Sequence, residues 1–247
     1  MLTVAVPDGR VVVHEIGHGP PVVLVHGGTG TATHDWGRIV PALRDRARVV
    51  TLDLRGHGAS PNRGGALTEV RFAQDLTHVL TRLGIGQAVF IGFSLGANTV
   101  LRLITLYPGR ARGAVLIGGS ATGDPARIRA MKSGPWPPGL AALHHPAHPD
   151  PDHWDHLRQT LLENWSNSTE RSTAELARAT LPVLVVHGER DAIQTTTVAR
   201  DLAERLPDAR LEVVTEAGHA VQRDQPEEFL RLVTDFLTAR CGFPEEA

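Results

Sequence analysis

The stretch Val89-Phe90-Ile91-Gly92-Phe93-Ser94-Leu95-Gly96-Ala97-Asn98 constrains this chain more than any other. It opens on apolar and β-branched residues, passes through Gly-x-Ser-x-Gly, and runs on into a helix-compatible segment, Thr99-Val100-Leu101-Arg102-Leu103-Ile104. A strand that turns this sharply into a helix holds the turn residue on a strained backbone with its neighbours pressed together. Gly92 and Gly96 remove the side chains that would collide there. The helix aims its free N–H groups and the positive end of its dipole at the turn. Ser94 is thereby presented as a nucleophile; without the flanking strand and helix the same spacing would be an ordinary glycine-rich turn.

The rest of the chain alternates in the same way. Residues 2–6 and 10–16 are β-rich and flank Pro7-Asp8-Gly9, which predicts an N-terminal hairpin. Val22-Val23-Leu24-Val25 and residues 48–53, 113–117 and 182–187 are apolar runs suited to strands buried on both faces, and residues 210–214 form a further strand. Between them the spacing predicts helices over 35–46 with Asp35 as N-cap, 68–83 ended by Gly84, 194–206, and 225–240 with Asp224 as N-cap and Pro226 in the first turn. Strands alternating with helices make an α/β fold with a mostly parallel central sheet and helices on both faces.

Residues 120–180 break the alternation. They are rich in Pro, His and Trp, carry no strand signal, and read as helical only over 152–165 and 170–179. The domain reading is a core of residues 1–119 and 181–247 with a cap or lid insert of 120–180, at the sheet edge where ligands bind in such folds.

A serine hydroxyl needs a base within hydrogen-bond reach and a group that orients the base. Each should lie at the C-terminal end of a strand. Asp191 follows the strand 182–187 in His187-Gly188-Glu189-Arg190-Asp191, and His219 follows the strand 210–214 in Gly218-His219-Ala220. The order Ser94, Asp191, His219 suits a nucleophile, an orienting acid and a base. Glu189 is the rival acid, two residues before Asp191. Two N–H donors should face the developing oxyanion: that of Leu95, after the nucleophile, and one from His26-Gly27-Gly28, Gly28 first and Thr29 as the alternative.

These pieces together resemble the α/β-hydrolase superfamily in its compact, esterase-like branch. The matching segments are His26-Gly27-Gly28, Asp53-x-Arg55-Gly56-x-Gly58, Gly92-Phe93-Ser94-Leu95-Gly96, Gly188 to Asp191, Gly218-His219 and Asp224-Gln225-Pro226-Glu227-Glu228-Phe229. The resemblance implies a serine-nucleophile hydrolase that needs no cofactor and carries a cap over its pocket. It also implies a structural role for Asp53 and His57, and a loop-bracing one for His26. A serine at the elbow disfavours the aspartate-dependent dehalogenase and epoxide hydrolase chemistries. The expected function is cleavage of a small-molecule carboxylic ester, thioester or lactone through an acyl-enzyme on Ser94. The competing readings are another chemistry on the same triad (C–C bond hydrolysis, enol-lactone hydrolysis or perhydrolysis) and a ligand-binding protein without turnover.

Trp36, Trp136, Trp154 and Trp165 are candidates for an apolar substrate pocket in a chain where aromatics make up only 4%. The rival reading is that they pack the cap onto the core. His144, His145, His148, Asp150, Asp152, His153, Asp155 and His156 invite a metal site, but Pro146, Pro149 and Pro151 interrupt the spacing, no ligand template fits, and the cluster reads as polar cap surface, so no metal is expected. With 25 basic and 27 acidic residues, net charge is −2, which gives no pull toward nucleic acid or an anionic membrane. The N-terminus lacks a signal-peptide pattern, no apolar run reaches membrane-spanning length, and the single Cys241 suits a reducing compartment. A cytoplasmic protein acting on a small molecule is the expectation; a monomer and a dimer are equally compatible with it.

Overall fold

In the computed structural model the apolar runs become the parallel centre of an eight-stranded sheet. The structure describes residues 1–62, 66–122, 139–144, 152–166 and 171–245, the side chains of Trp165 and Ser166 excepted. The strands are β1 (Leu2–Val6), β2 (Gly9–Ile16), β3 (Pro21–Val25), β4 (Arg48–Leu52), β5 (Ala88–Phe93), β6 (Ala111–Ile117), β7 (Val183–Gly188) and β8 (Ala209–Val214). Their order is β1-β2-β4-β3-β5-β6-β7-β8. β1 and β2 form the expected hairpin, and β2 pairs antiparallel with β4; from β4 through β8 neighbouring strands run parallel.

Side-chain alternation divides the apolar residues between two cores, one on each face of the sheet. On β5, Ala88 and Phe90 join one core while Val89, Ile91 and Phe93 join the other. The first core receives Phe72, Leu76 and Val79 of α3 (Glu69–Arg82) and Val100, Leu103 and Ile104 of α4 (Leu95–Leu106). The second receives Trp36, Ile39 and Leu43, and Phe229, Val233 and Phe236 from the last helix. Each fully buried Leu or Phe contributes about 2–3 kcal/mol through loss of its water contact, so these strands and helices are held mainly by packing.

Three expectations about helix ends need correction. The helix expected over 35–46 is two short ones, α1 (Ala32–Trp36) and α2 (Val40–Leu43). Gly37 ends the first and Pro41 lies in the first turn of the second, and a proline inside one continuous helix would clash with the preceding turn. Thr31, not Asp35, is the N-cap; its hydroxyl accepts from the His34 N–H, which leaves the Asp35 carboxylate for a partner outside the helix. Asp224 is not the cap of the last helix either, because the chain first makes a separate turn of helix there.

The interval between β6 and β7 contains α5 (His153–Ser166), matching the helix expected over 152–165, and α6 (Thr173–Leu176), shorter than the 170–179 expected. α6 starts with a capping box of Ser172 and Glu175. Leu157 and Leu161 of α5 pack into the first core. Among the described residues the remaining α-helices are α7 (Thr196–Arg205), α8 (Val221–Asp224) and α9 (Pro226–Cys241). Asp224 ends α8 and accepts from the Gly218 N–H at 2.9 Å. No helix among the described residues is long and apolar enough to cross a membrane.

Candidate active site

Ser94 sits where β5 ends and α4 begins, at φ 52° and ψ −113°, a conformation that an L-residue adopts only under constraint. The constraint comes from both sides. The Ser94 N–H donates to the Ile117 carbonyl at 2.8 Å. A Cβ on Gly92 would lie 2.4 Å from the Gly96 carbonyl oxygen, and one on Gly96 would lie 2.2 Å from that of Val25. Those close approaches of backbone on backbone are what the two glycines permit.

The loop after β8 brings His219 over this turn. His219 Nε2 lies 3.0 Å from Ser94 Oγ, and Nδ1 lies 2.8 Å from Asp191 Oδ2. Gly118, at φ +57°, lies under the ring; a Cβ there would come within 2.7 Å of His219 Cε1. Asp191 is fixed in the turn after β7. Its Oδ1 accepts from the N–H groups of Ile193 (2.7 Å) and Gln194 (2.9 Å), which leaves Oδ2 for the imidazole. Burial works to raise the Asp191 carboxyl, but the hydrogen bond and charge of His219, and then these two N–H groups, outweigh it and hold it below the usual carboxylate range. An ionised Asp191 favours the tautomer with the proton on Nδ1 and the lone pair of Nε2 toward Ser94. Glu189, the rival acid, instead accepts from the Glu216 N–H at 3.2 Å.

Three residues of the sequence are thus brought into one chain of hydrogen bonds. In such a chain a hydroxyl proton can pass to the imidazole as the oxygen attacks, while the carboxylate stabilises the imidazolium.

Against the elbow, where a Cβ on Gly27 would lie 2.9 Å from the Phe93 ring, is the turn Gly27–Gly30, closed by the Gly30 N–H on the Gly27 carbonyl at 3.2 Å. The Gly27 N–H donates to Asp35 Oδ2 at 2.8 Å. Asp35 is buried, and desolvation raises its pKa despite that bond and the charge of Arg223. The N–H groups of Gly28 and Thr29 have no acceptor among the described residues, and Leu95 starts a helix whose first N–H groups have no intrahelical partner. His26 braces this turn, its Nδ1 lying 2.7 Å from the Gly27 carbonyl oxygen.

Asp53, which sequence alone could mistake for an acid, has both oxygens taken by backbone: Oδ1 accepts from Ala32 (2.9 Å) and Oδ2 from Ala59 (2.8 Å). Arg55 is buried in a two-pronged pair with Asp75 at 3.0 and 2.8 Å. Both residues brace the loop after β4.

The tryptophans divide differently from the expectation. Trp36 is fully buried in the second core, because the short α1 turns its indole inward; it does not line a pocket. Trp154 packs against the first core and stacks on His144 at 5.3 Å. Trp165 is on α5 with its side chain outside the described atoms, and Trp136 lies outside the described residues. The His/Asp cluster also differs from a polar surface at one position: His144 is 1% exposed. Asp152, Asp155 and His156 are exposed and His153 is half-buried, while His145, His148 and Asp150 lie outside the described residues. No group of three or more metal-ligating side chains occurs among the described residues.

One neighbour of the site went unread in the sequence. His187 is buried with Nδ1 3.8 Å from Asp191 Oδ2, and burial lowers its pKa, so it adds a neutral ring beside the carboxylate. Its position at the inward end of β7 was the available signal.

Comparison with known proteins agrees with the architecture. Residues 22–232 match the alpha/beta hydrolase family. A pimeloyl-[acyl-carrier protein] methyl ester esterase of Aromatoleum aromaticum is 30% identical, over 88% of this chain and 98% of its own. A 2-hydroxy-6-oxo-2,4-heptadienoate hydrolase of Pseudomonas putida is 26% identical over 92% of both chains. Among solved structures, a meta-cleavage product hydrolase of Pseudomonas fluorescens superposes with a TM-score of 0.83 at 21% identity, covering 96% of this chain and 97% of that one, a likeness of fold. With its sheet order, its elbow and a match spanning most of its length, this chain belongs to the alpha/beta hydrolase family.

Proposed function

We propose that the chain is a serine hydrolase that cleaves a small-molecule carboxylic ester, thioester or lactone through an acyl-enzyme on Ser94. The observation that carries this reading is the continuous chain Ser94 Oγ, His219 Nε2, His219 Nδ1 and Asp191 Oδ2, with contacts of 3.0 and 2.8 Å. His219 takes the Ser94 proton as Oγ bonds to the substrate carbonyl carbon. The carbonyl oxygen becomes an oxyanion held by the N–H groups of Leu95 and Gly28. The intermediate collapses, the C–O or C–S bond to the leaving group breaks, and His219 gives that group its proton. Water then repeats the cycle: His219 takes its proton, hydroxide oxygen bonds to the acyl carbon, and Ser94 leaves with the proton returned. Asp191 stays ionised throughout and steadies the imidazolium. No step calls for a cofactor, and residues 120–180 would act as the cap that shapes the acyl pocket.

A second reading is hydrolysis of a C–C bond by the same three residues, favoured by the similarity to the heptadienoate hydrolase from Pseudomonas putida. The test of the first reading is turnover of a p-nitrophenyl ester series, acetate through decanoate, with Ser94→Ala as control. Turnover that vanishes in Ser94→Ala supports the ester reading, and the chain-length optimum sizes the pocket. Ester turnover that persists in Ser94→Ala refutes it. Cleavage of a vinylogous 1,5-diketone with inert esters would transfer the assignment to the C–C reading.

A further inference from the structure

Three consecutive carbonyls of the turn after β3 each face an imidazole nitrogen, and each imidazole comes from a different part of the chain. Gly27 O lies 2.7 Å from His26 Nδ1, Gly28 O lies 3.0 Å from His57 Nε2, and Thr29 O lies 3.4 Å from His144 Nε2. His26 belongs to the turn itself and His57 to the loop after β4. His144 belongs to the segment between β6 and β7, directly after the short helical turn Ala141–Leu143.

Two of the ring tautomers follow from neighbouring backbone N–H groups, which can only donate. The Leu54 N–H donates to His26 Nε2 at 2.8 Å, so the ring proton is on Nδ1 and is given to Gly27 O. The Gly58 N–H donates to His144 Nδ1 at 3.0 Å, so the ring proton is on Nε2 and points at Thr29 O. A trans peptide holds its C=O and the next N–H antiparallel. A carbonyl held on one side therefore aims the following N–H to the other: Gly27 O aims the Gly28 N–H, and Gly28 O aims that of Thr29. The bond to Thr29 O holds the far corner of the same turn.

His144 is well placed to transmit position. It is buried, stacked on Trp154 at 5.3 Å, and edge-on to His57 at 5.8 Å, so its ring has little room to tilt. Nearby, His153 at the start of α5 holds the Gly56 carbonyl at 3.0 Å, a second grip of the same segment on the loop after β4. Among the described residues, His144 and His153 attach the insert to the loop after β4, and His144 also reaches the turn after β3.

We propose that His144 is a positioning residue: through its Nε2–H on Thr29 O, docking of the insert sets the geometry of the turn that supplies the oxyanion donor. The proposal rests on the serine-hydrolase reading. It ties the seating of His144 and His153 against the loop after β4 to the geometry of the turn after β3.

The test is steady-state kinetics with p-nitrophenyl acetate, whose acyl group is too short to draw on a cap pocket, alongside melting temperatures. The variants are Ser94→Ala, His144→Ala, His144→Gln and His144→Asn. Gln carries an N–H donor near the position of Nε2, and Asn carries an acceptor near that of Nδ1. The expected result for His144→Ala is a fall in kcat of about tenfold or more, below the 10²–10³-fold cost of removing an oxyanion donor outright, with KM within about twofold. His144→Gln should recover most of kcat and His144→Asn should not. Three outcomes overturn the proposal: kcat of His144→Ala within about twofold of wild type, a change confined to KM, or recovery by Asn equal to that by Gln, which would assign the bond from Gly58 as the one that matters. Should His144→Ala fail to fold, the Gln and Asn variants decide by the same comparison. Turnover remaining in Ser94→Ala would instead remove the hydrolase reading itself, and the two failures are thereby told apart.

Discussion

Lowering the pH from 7.5 to 5.0 should destabilise the fold by about 4 kcal/mol through two buried histidines alone. His26 and His57 are both fully buried. Burial lowers His26 to about 4, and burial together with the charge of His26 lowers His57 to about 3. Unfolded, each titrates near 6.5. The sign follows from the proton count: between the folded and unfolded values the unfolded chain binds more protons, so stability is complete above 6.5 and is lost as the pH falls toward 4 and 3. At pH 5.0 each unfolded imidazole is about 1.5 units below its pKa, and at about 1.4 kcal/mol per unit each contributes about 2 kcal/mol. Both folded values lie below 5.0, so the two contributions add. One feature of His57 acts the other way. Its Nδ1 and Nε2 face the carbonyls of Arg55 and Gly28, both at 3.0 Å, and only an imidazolium could donate to both. Full burial without a directly bonded carboxylate outweighs that second bond, which keeps the ring neutral. The assay is urea unfolding at the two pH values for wild type and His26→Gln, in which the glutamine carbonyl can still accept from Leu54. The wild-type difference should be at least about 4 kcal/mol, since His187, also buried and lowered, adds to it with the same sign, and that of the variant about 2 kcal/mol smaller. A wild-type difference under about 1 kcal/mol, or a variant with the full difference, refutes the reasoning; a wild-type difference near 2 kcal/mol would mean that His57 is charged in the fold.

Asp191→Asn should reduce kcat by about 10³- to 10⁴-fold with the fold retained, because the amide favours the wrong tautomer of His219, while Glu189→Gln should remain near wild type; ester kinetics on both variants check the assignment. Gly96→Ala should be destabilised by about 1–3 kcal/mol in urea, since the new methyl meets the carbonyl oxygens of Val25 and His26 at 2.2 and 2.6 Å and both are backbone. Ser94→Gly should lose activity yet gain about 1 kcal/mol in stability, the relief at φ 52° exceeding the added flexibility of the unfolded chain, and a melting curve below that of Ser94→Ala would count against strain at the elbow.

The elements that define the sheet were legible because their signals are local and strong. Runs such as Val22 to Val25 and Val183 to Val186 are apolar throughout, as strands between two helical layers must be. The elbow was legible because its glycines answer a steric demand within five residues. Helix ends were less so. Gly37 and Pro41 divide what periodicity joined, and Asp35 and Asp224 look like caps but bind the N–H groups of Gly27 and Gly218, contacts no local pattern encodes. Asp191 could be preferred to Glu189 only by its place in the loop, whereas the structure separates them by their partners. Trp36 misled because its neighbourhood in sequence is the glycine-rich turn after β3 while its side chain faces the core. The role of His144 was invisible for a related reason: 86 residues separate it from Gly58 and 115 from Thr29, and only the fold brings them together.

The central claim is that Ser94 is a nucleophile activated by His219, and covalent labelling with a fluorophosphonate tests it most directly. The phosphorus–fluorine bond breaks as Ser94 Oγ bonds to phosphorus, so intact-protein mass reports the event without knowledge of the natural substrate. The account predicts one adduct per chain, carried by the peptide that contains Ser94, absent in Ser94→Ala and slowed by orders of magnitude in His219→Ala. A folded protein that forms no adduct, or an adduct that persists in Ser94→Ala, would contradict it.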